Sequence, residues 1–507
     1  MHNKQRGKGY WKLNANIIDD QLYQEGLNTL VKETIKEYAS YINKQTLWEF
    51  IKLKIKEFSI NYSVVKSRQS KDKTKLLEDK INSLDKEIAE NHSCSINLQA
   101  ERAKCKAELD VLYKTHAVGA QVRSRAKWIE EGEKGSAFFL NLEKKNQQAN
   151  IIESITYEGI TATNDNDILK VCCSFYKKLY SSKDLSSDKI NDYLNTIPVE
   201  NQLNDDEKQL CEGKVSFQEC ENALNDMKFN KSPGTDGLTT EFYKKFWYLV
   251  GDIVVDAFNE SYDMGNLPES MRTAIMSLLF KKGDDEDLEN YRPISLTNYD
   301  YKILAFALAN RLQKVIGKLI NPDQTAYIND RFIGSNVRLV IDTMEFMETA
   351  NKGGLLFFLD FRKAFDSIEW NFMFECLERY NFGPNFIQWI KLLYSKPLTC
   401  VKNNGYISDI FELEKGIRQG CPISSLIFIL CVEVMARAFR LDPNIKGFNL
   451  DTNTVKISQY ADDAVLLLHD ELELFHSINI IKSFGGASGR ELDQRKWEGG
   501  WVGDQKS

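Results

Sequence analysis

The chain contains 507 residues, of which 42% are hydrophobic, 11% aromatic and 27% charged. This composition excludes a mainly disordered, collagen-like or disulfide-dense protein, and the length predicts two or more structural units. No run approaches the roughly eighteen apolar residues of a membrane span and no signal-peptide segment opens the sequence, so we expect neither membrane insertion nor secretion. The ten cysteines show no C-x-x-C spacing, which predicts reduced intracellular thiols.

The net charge of −7 hides an asymmetry along the chain. Residues 1–150 contain 27 Lys and Arg against 20 Asp and Glu, giving +7, whereas the remaining residues contain 39 against 53, giving −14. A basic N-terminal third is compatible with a polyanionic partner, but a basic helical surface is more often simply solvated. Charge alone therefore leaves both interpretations open.

The absence of proline from residues 17–142 predicts a long helical region. Apolar residues recur there at alternating steps of four and three, the seam spacing of a coiled coil, at Leu77, Ile81, Leu84 and Ile88. After a polar break at residues 91–95, the seam resumes at Leu98, Cys105, Leu109 and Leu112. We expect a helical hairpin or hinge at this break, acting as a spacer.

A short basic segment after the seam is a candidate nucleic-acid contact. Arg123, Arg125 and Lys127 flank the aromatic Trp128. Cations beside an aromatic ring can hold a phosphate backbone and a base. The alternative is an ordinary solvated helix surface, and the motif alone does not decide between the two.

The first acidic candidate lies at the end of an apolar run in the C-terminal half. Residues 355–359 are continuously apolar, which predicts a buried strand, and they end directly on Asp360. A helical pattern follows at residues 363–380. The sequence therefore places a carboxylate at the exit of a strand.

A second acidic candidate lies at the tip of a predicted hairpin. Strand patterns at residues 455–460 and 463–468 are joined by a very short turn that contains Asp462 and begins the second strand at Asp463. Carboxylates at the ends of apolar strands are costly to desolvate unless they are paired or bind a metal. Together with Asp360 they invite a shared hard cation, such as a pair of Mg²⁺ ions that assists phosphoryl transfer. Solvated turn residues remain the alternative.

Four motifs in this region occur together, in the order and at the distances found in one family. They are NYRPISL at 290–296, DFRKAFDS at 360–367, RQGCPIS at 418–424 and YADD at 460–463. The joint pattern resembles the reverse transcriptases of LINE-type, non-LTR retrotransposons. Three further segments are similar to an upstream endonuclease's last strand and to elements in or before the fingers of that family, namely residues 9–14, 231–247 and 322–328.

The resemblance implies roles for the acidic residues. Asp360 and Asp462 would be the main ligands of two Mg²⁺ ions, or of Mn²⁺ in their place, with Asp463 adjacent. The carbonyl of Phe361 would be a minor ligand of the metals. Here the family pattern and the strand-end pattern point to the same carboxylates.

The resemblance also implies a binding site for the incoming deoxynucleoside triphosphate. Lys281 and Arg292 resemble the fingers cations that neutralise the triphosphate, and Gln419 and Gly420 resemble residues that touch the nucleotide. Phe365 stands where the family uses a bulky side chain against the 2′-position of the sugar to exclude ribonucleotides. A helix residue packed in the core is the alternative for Phe365, and a surface cation is the alternative for Lys281 and Arg292.

The C-terminal segment follows the family only loosely. Residues 488–498 depart from the pattern Ser-Gly-Leu-x-x-Asn-x-x-Lys-Thr-Glu at Arg490, Asp493 and Trp497. Lys496 stands where a lysine of the family is thought to protonate the leaving pyrophosphate, and these departures leave its role open. The resemblance implies a fragment that lacks most of the endonuclease and the thumb and C-terminal region.

We therefore predict an α+β protein with the fingers and palm of a right-hand polymerase and an antiparallel palm sheet, preceded by a long, coiled-coil-like helical region. The predicted domains are an endonuclease remnant at 1–17, a helical linker region with a coiled-coil hairpin at 18–205, fingers at 206–350 and palm at 351–507.

The function implied by the resemblance is RNA-directed DNA polymerisation, the extension of a DNA 3′-OH on an RNA template by two-metal nucleotidyl transfer. The partners would be an RNA template, a DNA primer and deoxynucleoside triphosphates, with no membrane. The alternative is a truncated, catalytically inactive element remnant that only binds nucleic acid or a helical partner. By resemblance we expect an intracellular protein of the nucleus and of cytoplasmic ribonucleoprotein. The sequence leaves its oligomeric state open.

Overall fold

The computed structural model describes residues 6–90, 95–124, 151–198, 201–450, 453–492 and 498–502. It is a mixed α+β structure with a helical N-terminal region, as the sequence predicts. Its helices are α1 (Gln21–Tyr38), α2 (Lys44–Glu90), α3 (Ser95–Ser124), α4 (Asp165–Leu179), α5 (Ser187–Asn195), α6 (Asp205–Gln209), α7 (Phe217–Asp226), α8 (Thr240–Met264), α9 (Glu269–Arg272), α10 (Tyr299–Leu319), α11 (Ile333–Thr349), α12 (Trp370–Arg379), α13 (Pro384–Leu393), α14 (Ser424–Leu441) and α15 (Glu471–Ser488).

The strands are short, and most pair with antiparallel neighbours. They are β1 (Ile155–Tyr157), β2 (Ile160–Ala162), β3 (Thr273–Phe280), β4 (Tyr291–Leu296), β5 (Gly354–Leu359), β6 (Phe361–Arg362), β7 (Leu398–Asn403), β8 (Tyr406–Ile407), β9 (Phe411–Glu412), β10 (Phe448–Leu450), β11 (Asn453–Val455), β12 (Ile457–Tyr460), β13 (Asp463–Leu468), β14 (Glu491–Leu492) and β15 (Glu498–Val502).

Helices α2 and α3 form the predicted helical hairpin. The seam residues Leu77 and Leu84 of α2 pack against Cys105 and Leu109 of α3 in a small hydrophobic cluster of their own. Ion pairs such as Lys80 with Glu101 (2.6 Å) run along its exposed sides. The seam spacing thus predicts which faces of the two helices meet.

The first part of α2 packs into the main hydrophobic core. Trp48 and Ile51 are fully buried in the cluster that contains Phe242 of α8. Lys52 donates to the Asp300 carboxylate at the start of α10 (2.8 Å), a pair that is buried on both sides. The start of the predicted linker region therefore shares one core with the predicted fingers, and the boundary at residue 205 stays a prediction.

Strands β4, β3, β7 and β8 form one sheet in that order, with β9 also paired to β7, and we call it the fingers sheet. β3 is antiparallel to β4 and parallel to β7, so a strand from the predicted palm range completes this sheet. One face is covered by α4 in a core that includes Met276, Leu278 and Val401. Ser277, Arg292 and Lys402 are more accessible, which leaves the other face more open.

Strands β12, β13, β5 and β15 form a second, antiparallel sheet in that order, which we call the palm sheet. Leu355, Phe357 and Leu359 of β5 point into the main core, where α14 is almost wholly buried. The apolar character of the 355–359 run reflects this burial. The antiparallel palm sheet is as predicted.

The helix predicted at residues 363–380 begins later, at Trp370. Residues 361–362 form β6, Lys363 has a left-handed φ of 45°, and residues 364–366 form a single 3₁₀ turn. A left-handed residue cannot continue a right-handed helix, so the chain turns before α12 starts. None of the described helices has both the length and the apolar character needed to cross a bilayer.

Candidate active site

Asp360 and Asp463 lie beside each other at one end of the palm sheet. Leu359, the last residue of β5, pairs with Ala464 of β13 in antiparallel register. Asp360 follows Leu359 and Asp463 precedes Ala464, so the two acids occupy the next facing positions. The central pair of strands thus presents two carboxyl groups at its end.

Asp462 lies at the tip of the β12–β13 hairpin. Tyr460 pairs with Asp463, which leaves Ala461 and Asp462 as a two-residue turn. Ala461 has a left-handed φ of 57°, a conformation that is unfavourable for alanine by about 1 kcal/mol. Positive φ at the first turn residue only is the pattern of a type II′ turn, which suits the twist of a tight hairpin.

Gln324 holds this turn from a neighbouring segment. Its side-chain Oε1 accepts the N–H of Ala461 (2.9 Å), and its Nε2 donates to the carbonyl of Ala461 (3.3 Å). Oε1 also accepts the N–H of Ala326 (3.0 Å). Gln324 is fully buried, so these bonds stand in for water and offset the unfavourable conformation of Ala461. The sequence pattern at 322–328 gave no sign of this contact.

The electrostatics around Asp463 show that acids and cations converge there. Burial raises the pKa of Asp463, and the nearby Asp462 and Asp360 raise that pKa further. Lys281 and Arg292 act in the opposite direction and lower the same pKa. The two predicted triphosphate cations, at the end of the β3–β4 hairpin, therefore lie within electrostatic reach of the acids.

The three carboxyl groups suit a hydrated divalent cation. Within the described residues there is no tight cluster of three or more His, Cys, Asp or Glu side chains that would form a ready-made metal cage. Mg²⁺ usually keeps several waters and binds through one or two carboxylates, so converging acids fit it without a cage. Burial raises the pKa of Asp463, the charges of Asp462 and Asp360 raise it further, and a bound cation would offset these effects.

Gln419 and Gly420 lie between β4 of the fingers sheet and the 3₁₀ turn at residues 364–366. The Gln419 side chain donates to both carboxylate oxygens of Asp366 (3.1 and 3.0 Å). The backbone carbonyl of Gln419 accepts the N–H of Ser295 in β4 (2.8 Å). Gly420 has a φ of 104°, and a Cβ there would lie 2.8 Å from the Ser295 carbonyl oxygen. The structure therefore requires glycine at position 420.

Asp366 is a buried acid in this region that the sequence-based site does not include. It accepts the Tyr180 hydroxyl (2.6 Å) in addition to the Gln419 amide. Burial raises the pKa of Asp366 to about 6, although the Tyr180 hydrogen bond and the nearby Lys363 lower it. The sequence could have marked Asp366 as a site residue, because Asp366 lies inside the motif at 360–367.

Phe365 and Phe361 occupy different environments beside the acids. Phe365 is half-buried and stacks on Phe428 of α14, with ring centroids 4.0 Å apart and 16° between the planes. It lies in the short 3₁₀ turn rather than in a helix. Phe361 is buried in β6, directly after Asp360.

Arg490 lies against the Phe361 ring and is only 3% exposed. Its guanidinium carbon is 3.8 Å from that ring centroid and 5.2 Å from the centroid of Phe428. None of its three side-chain nitrogens has a hydrogen-bond partner among the described residues. Burial lowers the pKa of Arg490 to about 10, and the nearby Asp462 acts against this shift.

The remaining predicted site residues lie mostly outside the described part of the chain. Lys496, Arg125 and Lys127 fall in ranges that the structure does not describe. Arg123 lies near the C-terminal end of α3, and its side chain is likewise outside the described set. Their assigned roles stay predictions.

Comparison with known proteins gives a family match for the C-terminal part of the chain. Residues 280–501 match the family model described as reverse transcriptase (RNA-dependent DNA polymerase). This range includes Lys281 and Arg292, the acids and the palm sheet. The match therefore covers the predicted site residues that the structure brings near Asp463.

Several proteins of mobile elements are similar to this chain. The transposon TX1 uncharacterized 149 kDa protein of Xenopus laevis is 30% identical over 497 residues, which are 97% of this chain and 37% of that protein. The Pol polyprotein from the type-2 retrotransposable element R2DM of Drosophila melanogaster is 26% identical over 248 residues, 49% of this chain and 23% of the relative. The Pol polyprotein from the type-1 retrotransposable element R2 of Nasonia vitripennis is 26% identical over 266 residues, 52% and 25% of the two chains.

The chain thus spans about a quarter to two-fifths of the length of these relatives. The similarity to the first relative extends over both the helical region and the sheets. The family match and the retrotransposon relatives agree with the motif pattern. Residues 280–501 therefore match the reverse transcriptase family, and the chain is similar in sequence to proteins of non-LTR retrotransposons.

Proposed function

We propose that this protein is an RNA-directed DNA polymerase that extends a DNA 3′-OH on an RNA template. The observation that carries the proposal is the placement of Asp360 and Asp463 at facing positions where the central strands of the palm sheet end, with Asp462 in the adjoining turn. Burial raises the pKa of Asp463, Asp462 and Asp360 raise it further, and Lys281 and Arg292 lower it. Carboxylates that can bind metal ions, near cations that can bind a triphosphate, form a site suited to nucleotidyl transfer.

The reaction is a displacement at phosphorus. The primer 3′-oxygen attacks the α-phosphorus of the nucleotide, a new P–O bond forms, and the bond to the β-phosphate oxygen breaks so that pyrophosphate leaves. The 3′-OH proton is lost to solvent. Catalysis of such a step depends on positioning the reactants and on stabilising charge.

In this proposal Asp360, Asp462 and Asp463, with the Phe361 carbonyl, hold two Mg²⁺ ions or Mn²⁺ in their place. The ions would lower the charge repulsion between the primer oxygen and the triphosphate and stabilise the leaving group. The converging carboxyl groups support this assignment by their chemistry. Lys496 is assigned, by resemblance alone, to protonation of the pyrophosphate.

The fingers residues would bind and orient the nucleotide. Arg292 suits bidentate contact with phosphate oxygens, and Lys281 suits a point contact. Gln419 and Gly420 would contact the nucleotide, with Gln419 oriented by its bonds to Asp366. Phe365 would exclude a 2′-hydroxyl, supported by its half-buried position beside Asp366.

The test is primer extension by the folded chain on an RNA template annealed to a DNA primer. We expect incorporation of deoxynucleotides that requires Mg²⁺, stops on addition of EDTA and resumes when Mg²⁺ is restored in excess. A DNA template of the same sequence and a reaction without primer are the matched controls. Failure of the folded chain to extend any primer with Mg²⁺ or Mn²⁺ would overturn the proposal.

The second candidate is an inactive remnant that binds nucleic acid, or a helical partner through the α2–α3 hairpin, without turnover. The position of Arg490 favours this candidate, because the side chain is buried near Asp462 and finds no hydrogen-bond partner in the part of the chain that the structure describes. A fixed positive charge there opposes a second cation at the same acids. Nucleic-acid binding without extension by the natural chain, together with extension by Arg490→Leu, would support this candidate.

The proposed partners are an RNA template, a DNA primer and deoxynucleoside triphosphates. Arg123, Arg125 and Lys127 are further proposed contacts to the phosphate backbone. By resemblance we propose that the protein works in the nucleus and in cytoplasmic ribonucleoprotein. Fractionation of cells that express a tagged chain would test this location.

A further inference from the structure

The N-terminal residues 6–14, which we call the strap, run across the β7–β8 turn and the loop at residues 233–237. The N–H groups of Gly7 and Gly9 donate to the carbonyls of Asn404 (3.0 Å) and Gly405 (2.9 Å) in the β7–β8 turn. The Tyr10 hydroxyl donates to the Pro233 carbonyl (2.8 Å). The N–H of Leu13 donates to the Gly237 carbonyl (2.9 Å), so the strap is held near both of its ends.

The contact between the strap and the β7–β8 turn is close. A Cβ on Gly405 would lie 2.5 Å from the Gly7 carbonyl oxygen, and a Cβ on Gly7 would lie 2.6 Å from the Gly405 carbonyl carbon. Gly405 also has a positive φ of 80°. Two glycines therefore allow the backbones to meet, and this fixes the position of the cations on either side.

The strap and β7 enclose an open cavity of about 430 Å³ that is rich in cations. We call it the strap pocket and define it by its charged and aromatic lining residues, Arg6, Lys8, Tyr10, Lys12 and Lys402. The other described residues that line it are glycines, so none is acidic. Asp236 is close enough to Tyr10 to affect the Tyr10 pKa but does not line the cavity.

The aromatic ring of Tyr10 holds two of these cations together. Lys12 Nζ is 4.9 Å and Lys402 Nζ 5.3 Å from the ring centroid. Lys402 is half-buried, and its pKa is lowered by burial and by the nearby Arg6. An anion bound between these side chains would offset both effects.

The strap pocket lies on the same face of the fingers sheet as the two predicted triphosphate cations. Lys402 pairs with Ser277, and Arg292 pairs with Leu279, two residues further along β3. Lys281 continues the strand by donating its N–H to Asn290 (2.9 Å). Because side chains alternate between faces, Lys402, Arg292 and Lys281 all point to the open face.

The spacing along this face suits a nucleic-acid strand. Lys281 follows Ser277 by four residues, which is roughly 13 Å of strand, or about the rise of four stacked nucleotides. Under the proposed function the primer end lies at the acids and the nucleotide triphosphate at Lys281 and Arg292. The strand that continues past the incoming nucleotide is the unpaired template.

We propose that the strap pocket binds phosphate groups of the unpaired RNA template ahead of the acids. This inference rests on the proposed polymerase function, which it extends by assigning a site to one strand. The strap supplies cations that the acidic remainder of the chain, at −14, has in deficit. The contacts are to the backbone, so they carry no base preference.

The test is the binding of fluorescent template-primers to the full chain across a range of salt concentrations, with a template overhang of about eight nucleotides or of one nucleotide. For Lys402→Gln we expect a three- to tenfold loss of affinity, roughly, for the long overhang only. The slope of log affinity against log salt should fall by about 0.7, the value for one phosphate contact to a single strand. Lys189→Gln, an exposed lysine on α5, is the matched control and should change neither.

The exposed pair Lys8→Gln and Lys12→Gln, combined, provides a second variant if Lys402→Gln fails to fold. Equal loss of affinity for both overhangs would overturn the assignment to the unpaired template, and unchanged binding in both variants would overturn the pocket. Primer extension by the natural chain is measured in parallel. If binding depends on the overhang but the chain does not extend the primer, the polymerase proposal alone is contradicted. If the chain extends the primer but the variants bind as tightly as the natural chain, the role of the strap pocket alone is contradicted.

Discussion

The guanidinium carbon of Arg490 lies 3.8 Å from the centre of the Phe361 ring, in the interior of the protein. Arg311 is equally buried, at 4% exposure against 3% for Arg490, but its surroundings are opposite in kind. Arg311 donates to both carboxylate oxygens of Glu219 and to four backbone carbonyls. Among the described residues Arg490 has aromatic contacts but no hydrogen-bond acceptor, and the rings return part of the free energy lost on dehydrating its charge.

We expect Arg490→Leu to stabilise the protein. A buried charge without hydrogen bonds is unfavourable, and its replacement by an apolar side chain of similar volume gains roughly 1–4 kcal/mol. Phe361, Phe428 and Phe484 already provide an apolar site for the leucine. Urea unfolding of the natural chain and the variant measures the difference.

Arg311→Leu is the matched control for this prediction. It leaves the Glu219 carboxylate and several carbonyls without their donor, so we expect a loss of roughly 3–5 kcal/mol. The two arginine side chains are equally buried. Changes of opposite sign in the free energy of unfolding would therefore reflect the difference in their hydrogen bonding. A loss of stability in Arg490→Leu comparable to that in Arg311→Leu would contradict the account given for Arg490.

Asp360→Asn and Asp462→Asn should each abolish primer extension. Removing one carboxylate lowers the affinity for a divalent cation, and loss of metal assistance is worth several kcal/mol, on the order of a thousandfold in rate. The fold should persist, because the substitution relieves repulsion around Asp463. Asp252→Asn, an exposed acid on α8, is the control, and extension by either site variant at the natural rate would remove that acid from the mechanism.

Gln324→Leu should reduce extension by positioning rather than by direct chemistry. It removes both hydrogen bonds to Ala461 and leaves the buried N–H groups of Ala461 and Ala326 without this acceptor, a loss of about 1–3 kcal/mol in stability for each. Displacement of the turn by a fraction of an ångström should lower the rate roughly ten- to a hundredfold. A higher Mg²⁺ concentration for half-maximal extension is the specific readout.

Gln388→Leu provides the comparison for Gln324. It removes a single bond to the Tyr262 carbonyl (3.1 Å) on α13, outside the acid site. Gln388 is exposed, so a smaller loss of stability with unaltered Mg²⁺ dependence is expected there. The same Mg²⁺ dependence in both variants would show that Gln324 acts only on stability.

Much of the strand framework could be predicted because its signals are local. The apolar run before Asp360 and the two short strand patterns around Asp462 each lie within a few residues of the acid that they position. The seam of Leu77 and Leu84 is equally local, since a heptad repeat shows which face of a helix is covered. Such patterns reflect only which residues are buried, and the spacing of the apolar residues in a segment shows this directly.

Contacts between distant segments could not be predicted in this way. Gln324 meets Ala461 across 137 residues, and Tyr180 meets Asp366 across 186. A single glutamine or tyrosine carries no local sign of its partner. The turn at Lys363 is a similar case, because a left-handed lysine has no distinctive pattern and the helical period continued through it.

Phe365→Val should raise the incorporation of ribonucleotides relative to deoxynucleotides if the ring contacts the sugar. The stack on Phe428 at 4.0 Å would be lost, opening space beside the nucleotide. Competition between a ribonucleotide and its deoxynucleotide in primer extension measures the ratio. Phe374→Val, a half-buried residue of α12, is the control, and an unchanged ratio in folded Phe365→Val would assign the ring to core packing.

Asp366→Asn should change how stability depends on pH. The folded-state pKa of Asp366 is raised to about 6 from an ordinary value near 3.8, chiefly by burial. Between these values the unfolded chain is ionised while the folded chain keeps its proton, so stability falls as pH rises through this window. Above pH 6 the penalty is constant, at up to about 3 kcal/mol.

The asparagine cannot ionise, and its amide can still accept the Tyr180 hydroxyl while Gln419 reorients. We therefore expect the variant to be more stable than the natural chain above pH 6 and equal to it near pH 4, with EDTA present to exclude metal binding. Urea unfolding between pH 4 and 8 provides the measurement, with exposed Asp192→Asn on α5 as control. A stability difference that does not vary between pH 4 and 6 would show that Asp366 stays ionised in the folded protein, held by its hydrogen bonds rather than neutralised by burial.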